Sequence, residues 1–205
     1  MCKEFPADFQ RVIDFHGHVC PGLVTGYRLA KAARSALDIK DLDDADLVTI
    51  AETDRCTVDA FQVILNCTVG KGKLIIRNRG KQAFTVGDRV TNKAVRVVTQ
   101  ARAFNYTPEE DALTRKVMSG HASEEEYQIF KAARTKRIHE LLTFPESDIL
   151  SVYTVTMKFP AKEMIYNSPT CAFCGEQVME PWVRMREGKI SCLTCAYAQS
   201  PEDKE

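Results

Sequence analysis

Residues 47–66 read LVTIAETDRCTVDAFQVILN, and the fold is decided here. Leu47–Ala51 is an apolar, β-branched run closed off by the polar segment 52–55, which predicts a strand. Residues 57–66 carry Val58, Phe61, Ile64 and Leu65 at helical spacing, so a helix follows the strand and opens just after Cys56. Downstream, the turn Gly70-Lys71-Gly72 leads into three further strand-like runs at 73–77, 83–86 and 94–98. Upstream, Phe9, Val12 and Ile13 predict a short helix over 6–15 that breaks at His16-Gly17-His18. Pro21 stands where a first helical residue belongs, and a helix is predicted from Gly22 to about Leu37 with Leu23, Tyr27, Ala30, Ala33 and Leu37 as its buried stripe. Thr107-Pro108-Glu109-Glu110 and Ser123-Glu124-Glu125-Glu126 each read as a helix start with a capping box, the second helix reaching about Leu142. Residues 151–159 alternate as one more strand, and Pro160 with Asn167-Ser168-Pro169 marks a linker. The expectation is an α+β domain with a mixed sheet over residues 1–165, followed by a small module over 166–205.

The chain has 205 residues, 44% of them hydrophobic and 27% charged, enough to bury a core. Lys+Arg and Asp+Glu are both 28, so no overall charge draws it to nucleic acid or anionic lipid. No apolar run approaches the roughly 18 residues of a membrane span, and no secretory leader is visible in Met-Cys-Lys-Glu-Phe-Pro. A cytoplasmic location is expected, and there eight cysteines point to metal or thiol chemistry rather than to disulfides.

Cys171-Ala172-Phe173-Cys174 and Cys192-Leu193-Thr194-Cys195 form two C-x-x-C pairs separated by the 17 residues 175–191, a spacing of four-cysteine zinc sites. Each pair offers two thiolates from one tight turn, and two turns complete a tetrahedron. Residues 183–185 and 189–191 predict a hairpin around Glu187-Gly188, as in a treble-clef finger. So short a segment needs the metal for much of its folding energy. Structural zinc is the expected occupant, with an iron–sulfur cluster or a redox dithiol as the other readings of four thiols. Trp182 is expected to plug the module's core. From residue 171 onward, four basic residues face six acidic ones, so the module lacks the basic footprint of a nucleic-acid binder.

Phe15-His16-Gly17-His18-Val19-Cys20-Pro21-Gly22 is the second constellation. Cys20 opens a predicted helix, where backbone N–H groups favour a thiolate, and Cys56 repeats that arrangement after a predicted strand. If the two helix starts converge, His18, Cys20 and Cys56 form a three-ligand site with an open position, the pattern of catalytic zinc. The plainer reading makes these cysteines buried apolar residues and the histidines a cap and an ordinary hydrogen-bonding side chain. Cys67 reads as buried, Asp54 and Asp59 as solvated or capping, and Cys2, His121 and His139 as structural.

These blocks carry a resemblance. Phe15 to Gly22 with Gly26-Tyr27-Arg28, then Cys56-Thr57-Val58-Asp59-Ala60-Phe61-Gln62, then Cys67-Thr68-Val69-Gly70-Lys71-Gly72-Lys73-Leu74 and Arg79-Gly80-Lys81-Gln82-Ala83 resemble the FmdE family, named for a component of formylmethanofuran dehydrogenase, over roughly residues 8–160. The four-cysteine module matches the finger that many members carry. The resemblance implies a thioredoxin-like mixed sheet flanked by helices. It implies a His/Cys site that binds zinc or another transition metal, with His18, Cys20 and Cys56 as ligands and active-site residues and His16 and Cys67 as nearby candidates. It implies a pocket touched by Asp59 and Gln62, which would contact a cofactor. It also implies a tie to the molybdenum or tungsten dehydrogenase that reduces carbon dioxide onto methanofuran, hence to oxidoreductase chemistry and methanogenesis, although other members occur in organisms that make no methane. Partners on this reading are dehydrogenase subunits and a second copy in a homodimer. The alternative is a non-catalytic accessory protein that holds a metal or cofactor while its finger docks a partner.

Overall fold

In a computed structural model, residues 5–104, 106–162 and 165–197 are described. Their contacts divide the chain into two units, Met1–Ala161 and Lys162–Glu205. The larger unit begins with α1 (Ala7–His16) and α2 (Pro21–Ala36), followed by β1 (Leu47–Ala51), α3 (Thr57–Ile64) and β2 (Leu74–Ile76). A meander of β3 (Ala83–Asp88) and β4 (Lys93–Thr99) follows. After a short 3-10 turn come α4 (Pro108–Met118), α5 (Glu124–Thr143), α6 (Glu146–Ile149) and β5 (Leu150–Thr154). The strands make one mixed sheet in the order β2-β1-β3-β4-β5. β1 and β2 are parallel, with Ile50 opposite Ile75, and all other neighbours are antiparallel. The parallel pair follows from the helix inserted between its strands, since two strands joined by a helical crossover run the same way.

Apolar burial concentrates on α1, α2, α3 and the inner strands. Phe9, Val12, Leu23, Leu29, Phe61, Phe84 and Val86 are fully enclosed, and the Phe61 and Phe84 rings stack with centroids 3.9 Å apart. α2 and α3 meet backbone to backbone. A Cβ on Gly26 would lie 2.5 Å from the Thr57 carbonyl oxygen and 2.6 Å from the Thr57 Cα. The expected caps form as well: Thr107 and Ser123 each accept an N–H from the Glu three residues on, and each Glu side chain reaches back to the cap's own N–H. The two helices so started bury little. α4 has no buried residue and α5 only Leu141. The C-terminal end of α5 is held by Arg28, whose guanidinium donates to the carbonyls of Leu141 (2.8 Å), Leu142 (3.1 Å) and Phe144 (3.1 Å), groups a helix end leaves without partners.

The strand expected over 151–159 stops at Thr154, with one further bond from Val155 N–H to the Ala94 carbonyl. The alternation continues, but β4 begins at Lys93 and offers no more ladder. The segment instead crosses Gly87, where an added Cβ would lie 2.6 Å from Met157 Sδ and 2.6 Å from Phe159 Cε1. Arg89 fixes it by lying over the Phe159 ring and donating to the Pro160 carbonyl at 2.9 Å.

In the smaller unit, β6 (Arg184–Arg186) and β7 (Lys189–Ser191) pair antiparallel and α7 (Leu193–Tyr197) follows. Glu187 (φ 53°) and Gly188 (φ 71°) form the tight turn between them, both with the positive φ that a two-residue hairpin turn demands. Trp182 is not a core plug: it is 53% exposed, because so short a hairpin has no apolar interior deep enough for an indole. Cys2 lies outside the described residues.

Because α2 and α3 touch without side chains between them, Gly26→Ala should cost about 1–3 kcal/mol through forced separation of the helices, read as a lowered urea midpoint at unchanged m.

Candidate metal centre

Three chain ends meet at one place in the larger unit. His16 is the last residue of α1, and Gly17 (φ 87°) closes the helix by donating to the Ile13 carbonyl at 2.8 Å. That left-handed turn reverses the chain so that Cys20, only four residues on, caps the N-terminus of α2 and its sulfur accepts the Leu23 N–H at 3.3 Å. Cys56 stands at the N-terminus of α3. The ligand atoms of His16, Cys20 and Cys56 all lie within 4.8 Å of one another. His16 Nε2 is 3.9 Å from Cys20 Sγ.

His16 is held by α3. Its Nδ1 lies 2.6 Å from Asp59 Oδ2. A carboxylate only accepts, so Nδ1 carries the proton and the lone pair sits on Nε2, the atom facing the sulfurs. Asp59 accepts in turn from Gln62 Nε2 at 3.3 Å, and Gln62 Oε1 accepts the Val69 N–H at 3.3 Å. Carboxylate, imidazole and ion in that sequence is the usual way a metal-binding histidine is oriented. One imidazole and two sulfurs suit zinc and other borderline-soft ions. Asp59 and Gln62 therefore act on the centre through His16.

Helix-start N–H groups do not settle the state of Cys20. Burial pushes its thiol up, the Leu23 N–H pulls it down, the neighbouring Cys56 thiol pushes up again, and the Arg134 charge lowers it; the net direction is upward. The thiol is thus kept protonated by its surroundings, and it is the positive charge of an ion that would favour two adjacent thiolates.

The other sequence candidates fall elsewhere. His18 is exposed, with its ring 4.5 Å from that of His16, and lies outside the three-ligand group. The reason is the turn at Gly17: α1 carries His16 onto α3, whereas His18 follows the reversal and rests on the outer side of the pair. Its pKa is lowered by desolvation, then by His16 and Arg134. Cys67 is fully buried beyond the end of α3, where burial raises its thiol, and it does not join the group. His121 pairs with Ser119 Oγ at 3.0 Å on the surface, and His139 lines a separate hollow beside Tyr27 and Leu142. The Asp59 grip on His16 was legible only as two separate residues, since nothing in the spacing joins positions 43 apart.

In the smaller unit Cys171, Cys174, Cys192 and Cys195 bring their sulfurs within 4.8 Å of one another. Cys171 sulfur accepts the Cys192 N–H at 3.3 Å, and Cys192 sulfur accepts the Cys195 N–H at 3.4 Å. The Cys192 N–H, with those of the knuckle around Cys174, draws the Cys171 thiol down to about 6, while the surrounding sulfurs push Cys195 up to about 12. The first thiolate therefore forms near neutrality, and the rest require a cation among them.

Replacing Asp59 by Asn should lower the affinity of the His16–Cys20–Cys56 centre for Zn(II) about 10–100-fold, measured by chelator competition on the full chain, with the four-cysteine module unaffected. Stripping metal from the full chain should abolish amide-exchange protection in β6 and β7 while β1, β3 and β4 keep theirs.

Three comparisons bear on this geometry. Residues 15–151 match the family model described as FmdE, molybdenum formylmethanofuran dehydrogenase operon. A probable S-adenosyl-L-methionine-binding protein of Archaeoglobus fulgidus is 29% identical over 193 residues, covering 91% of this chain; the chain spans about half the length of that curated relative, 51%. The crystal structure of an FmdE-like protein of tungsten formylmethanofuran dehydrogenase from Syntrophus aciditrophicus superposes with a TM-score of 0.60 at 24% identity, covering 93% of this chain and 90% of that one, a likeness of fold. The family match spans both cysteine-bearing helix starts and most of the sheet, and the chain belongs to the FmdE family.

Proposed function

We propose that the chain is a metal-binding protein linked to formylmethanofuran dehydrogenase, whose larger unit holds one transition-metal ion, zinc first, through His16, Cys20 and Cys56. The observation that carries this reading is the convergence of the three donor atoms within 4.8 Å with the imidazole already oriented by Asp59. Three protein ligands leave a position for an exogenous group, the arrangement of catalytic rather than purely structural zinc. An ion there would supply Lewis acidity, polarising a carbonyl or acidifying a bound water. The chain's own part is to keep the two sulfurs adjacent and to hold the imidazole proton on Nδ1. On this reading Cys20 and Cys56 are active-site ligands, His16 takes the place expected of His18, and the thiols serve as ligands before they serve as nucleophiles.

The finer reading of the architecture follows the same lines. The order β2-β1-β3-β4, with only β3 running against the others, supports a thioredoxin-like core, and a cysteine knuckle, a hairpin and a helix in succession support a treble-clef finger holding structural zinc. The domains would then be residues 1–165 and 166–205, in a cytoplasmic homodimer. Among the described residues no helix is long and apolar enough to cross a membrane. A second reading, an accessory protein whose finger docks on dehydrogenase subunits, is favoured by the exposure of Met179, Trp182, Met185 and Tyr197 on that module.

Metal analysis of the full chain separates the sites. Wild type should carry about two equivalents, with Cys20→Ser or Cys56→Ser each losing one and Cys171→Ser losing the other. Unchanged metal content in both Cys20→Ser and Cys56→Ser would refute the centre.

A further inference from the structure

Beside the centre lies a hollow of about 290 Å³, enclosed by α4, α5 and the first turn of α2. That size is near the lower end of small-molecule sites, roughly 300–1,000 Å³, so its occupant is compact. Tyr106, Leu113, Met118, Phe130 and Ala133 give it a largely apolar and aromatic lining. Pro21 and Gly22 form the wall nearest the metal ligands. Gly22 has no side chain, and a Cβ there would lie 3.4 Å from Cys56 Cβ and 3.9 Å from Cys20 Sγ, so the hollow and the sulfurs are separated by little more than that residue.

The cations around the hollow differ in how they are engaged. Arg137 donates to Glu140 at 3.2 Å and lies over the Tyr106 ring. Arg134 is half-buried, rests 6.0 Å over Phe130, and has no carboxylate within ion-pair distance among the described residues. Its charge is felt at both Cys20 and His18, which puts its guanidinium toward the metal-ligand end of the hollow. The acidic groups of the wall, Glu110 and Asp111, stand on the first turn of α4, and Glu110 is engaged with the Thr107 N–H at 2.8 Å. A ligand's negative end is therefore drawn to Arg134 and repelled from α4.

We propose that this hollow binds a small organic carboxylate with an apolar or aromatic body, its acid group on Arg134 and its body against Tyr106, Phe130, Leu113 and Met118. A guanidinium offers a carboxylate two parallel donors, and partial burial among apolar walls strengthens the pairing. The proposal deepens the metal-centre reading, since the ligand would lie beside the ion's open position, but binding at Arg134 itself needs no ion.

The test uses the full chain and two probes of like shape, 3-phenylpropionate and the neutral 3-phenylpropanamide, by isothermal titration calorimetry. The acid should bind at least tenfold tighter than the amide. Arg134→Gln should level the two while leaving metal content unchanged, and Arg134→Lys should keep part of the preference. Ala133→Phe, which fills the hollow from α5, should remove binding of both probes. Equal binding of acid and amide to wild type, a preference that survives Arg134→Gln, or no binding of either probe at millimolar concentration overturns the proposal. The same titration on Cys56→Ser keeps the two ideas apart: loss of acid preference in Arg134→Gln with unchanged metal in Cys56→Ser upholds the hollow and sinks the centre, and the reverse pattern sinks the hollow alone.

Discussion

The contact between α2 and α3 at Gly26 and Thr57 is the constraint on which the site rests. Each helix begins with a cysteine, and two helix starts bring their caps together only if the helix axes approach closely near those ends. A residue with a side chain at position 26 would wedge them apart by more than the tolerance of a metal ligand set. The stacked Phe61 and Phe84 rings press α3 onto the sheet from the other direction, so the position of Cys56 is fixed by core packing rather than by its own loop. The metal-binding geometry is thus prepared by apolar burial, with the ligands themselves contributing little to holding the fold.

Electrostatics then determine what the prepared site can accept. Buried sulfur resists ionisation, and two sulfurs side by side resist it more. Against that stand one backbone N–H and the distant Arg134 charge, which do not reverse the direction at Cys20. A cation does so directly, and the Asp59–His16 pair adds a neutral imidazole lone pair in place of a further charge. In the finger the balance differs: backbone N–H groups already make Cys171 acidic, so that site is primed for its ion before the metal arrives.

Much of this was legible in the sequence. The strand 47–51, the helices opening at Pro21 and Thr57, both capping boxes and the hairpin at Glu187-Gly188 follow from periodicity and cap chemistry, which are local. The family motifs named the right neighbourhood for the centre. What could not be read was which histidine faces inward, because His16 and His18 differ by a turn whose handedness depends on where α1 packs. The end of β5 was illegible for a related reason: the alternation through residue 159 is real, but a strand persists only as far as its neighbour does. Trp182 misled because an indole usually marks a core, and here the nearest thing to a core is four sulfurs.

The near-absence of buried residues on α4 and α5 has a consequence for how such a chain can change over time. Substitutions along that helical hairpin touch little of the folding free energy, while those on α2 and α3 touch most of it. Drift is therefore cheap where an incoming molecule would be recognised and costly where the sulfurs are aligned. A lineage built on this plan can keep its ion-binding corner intact while repeatedly altering what it brings there.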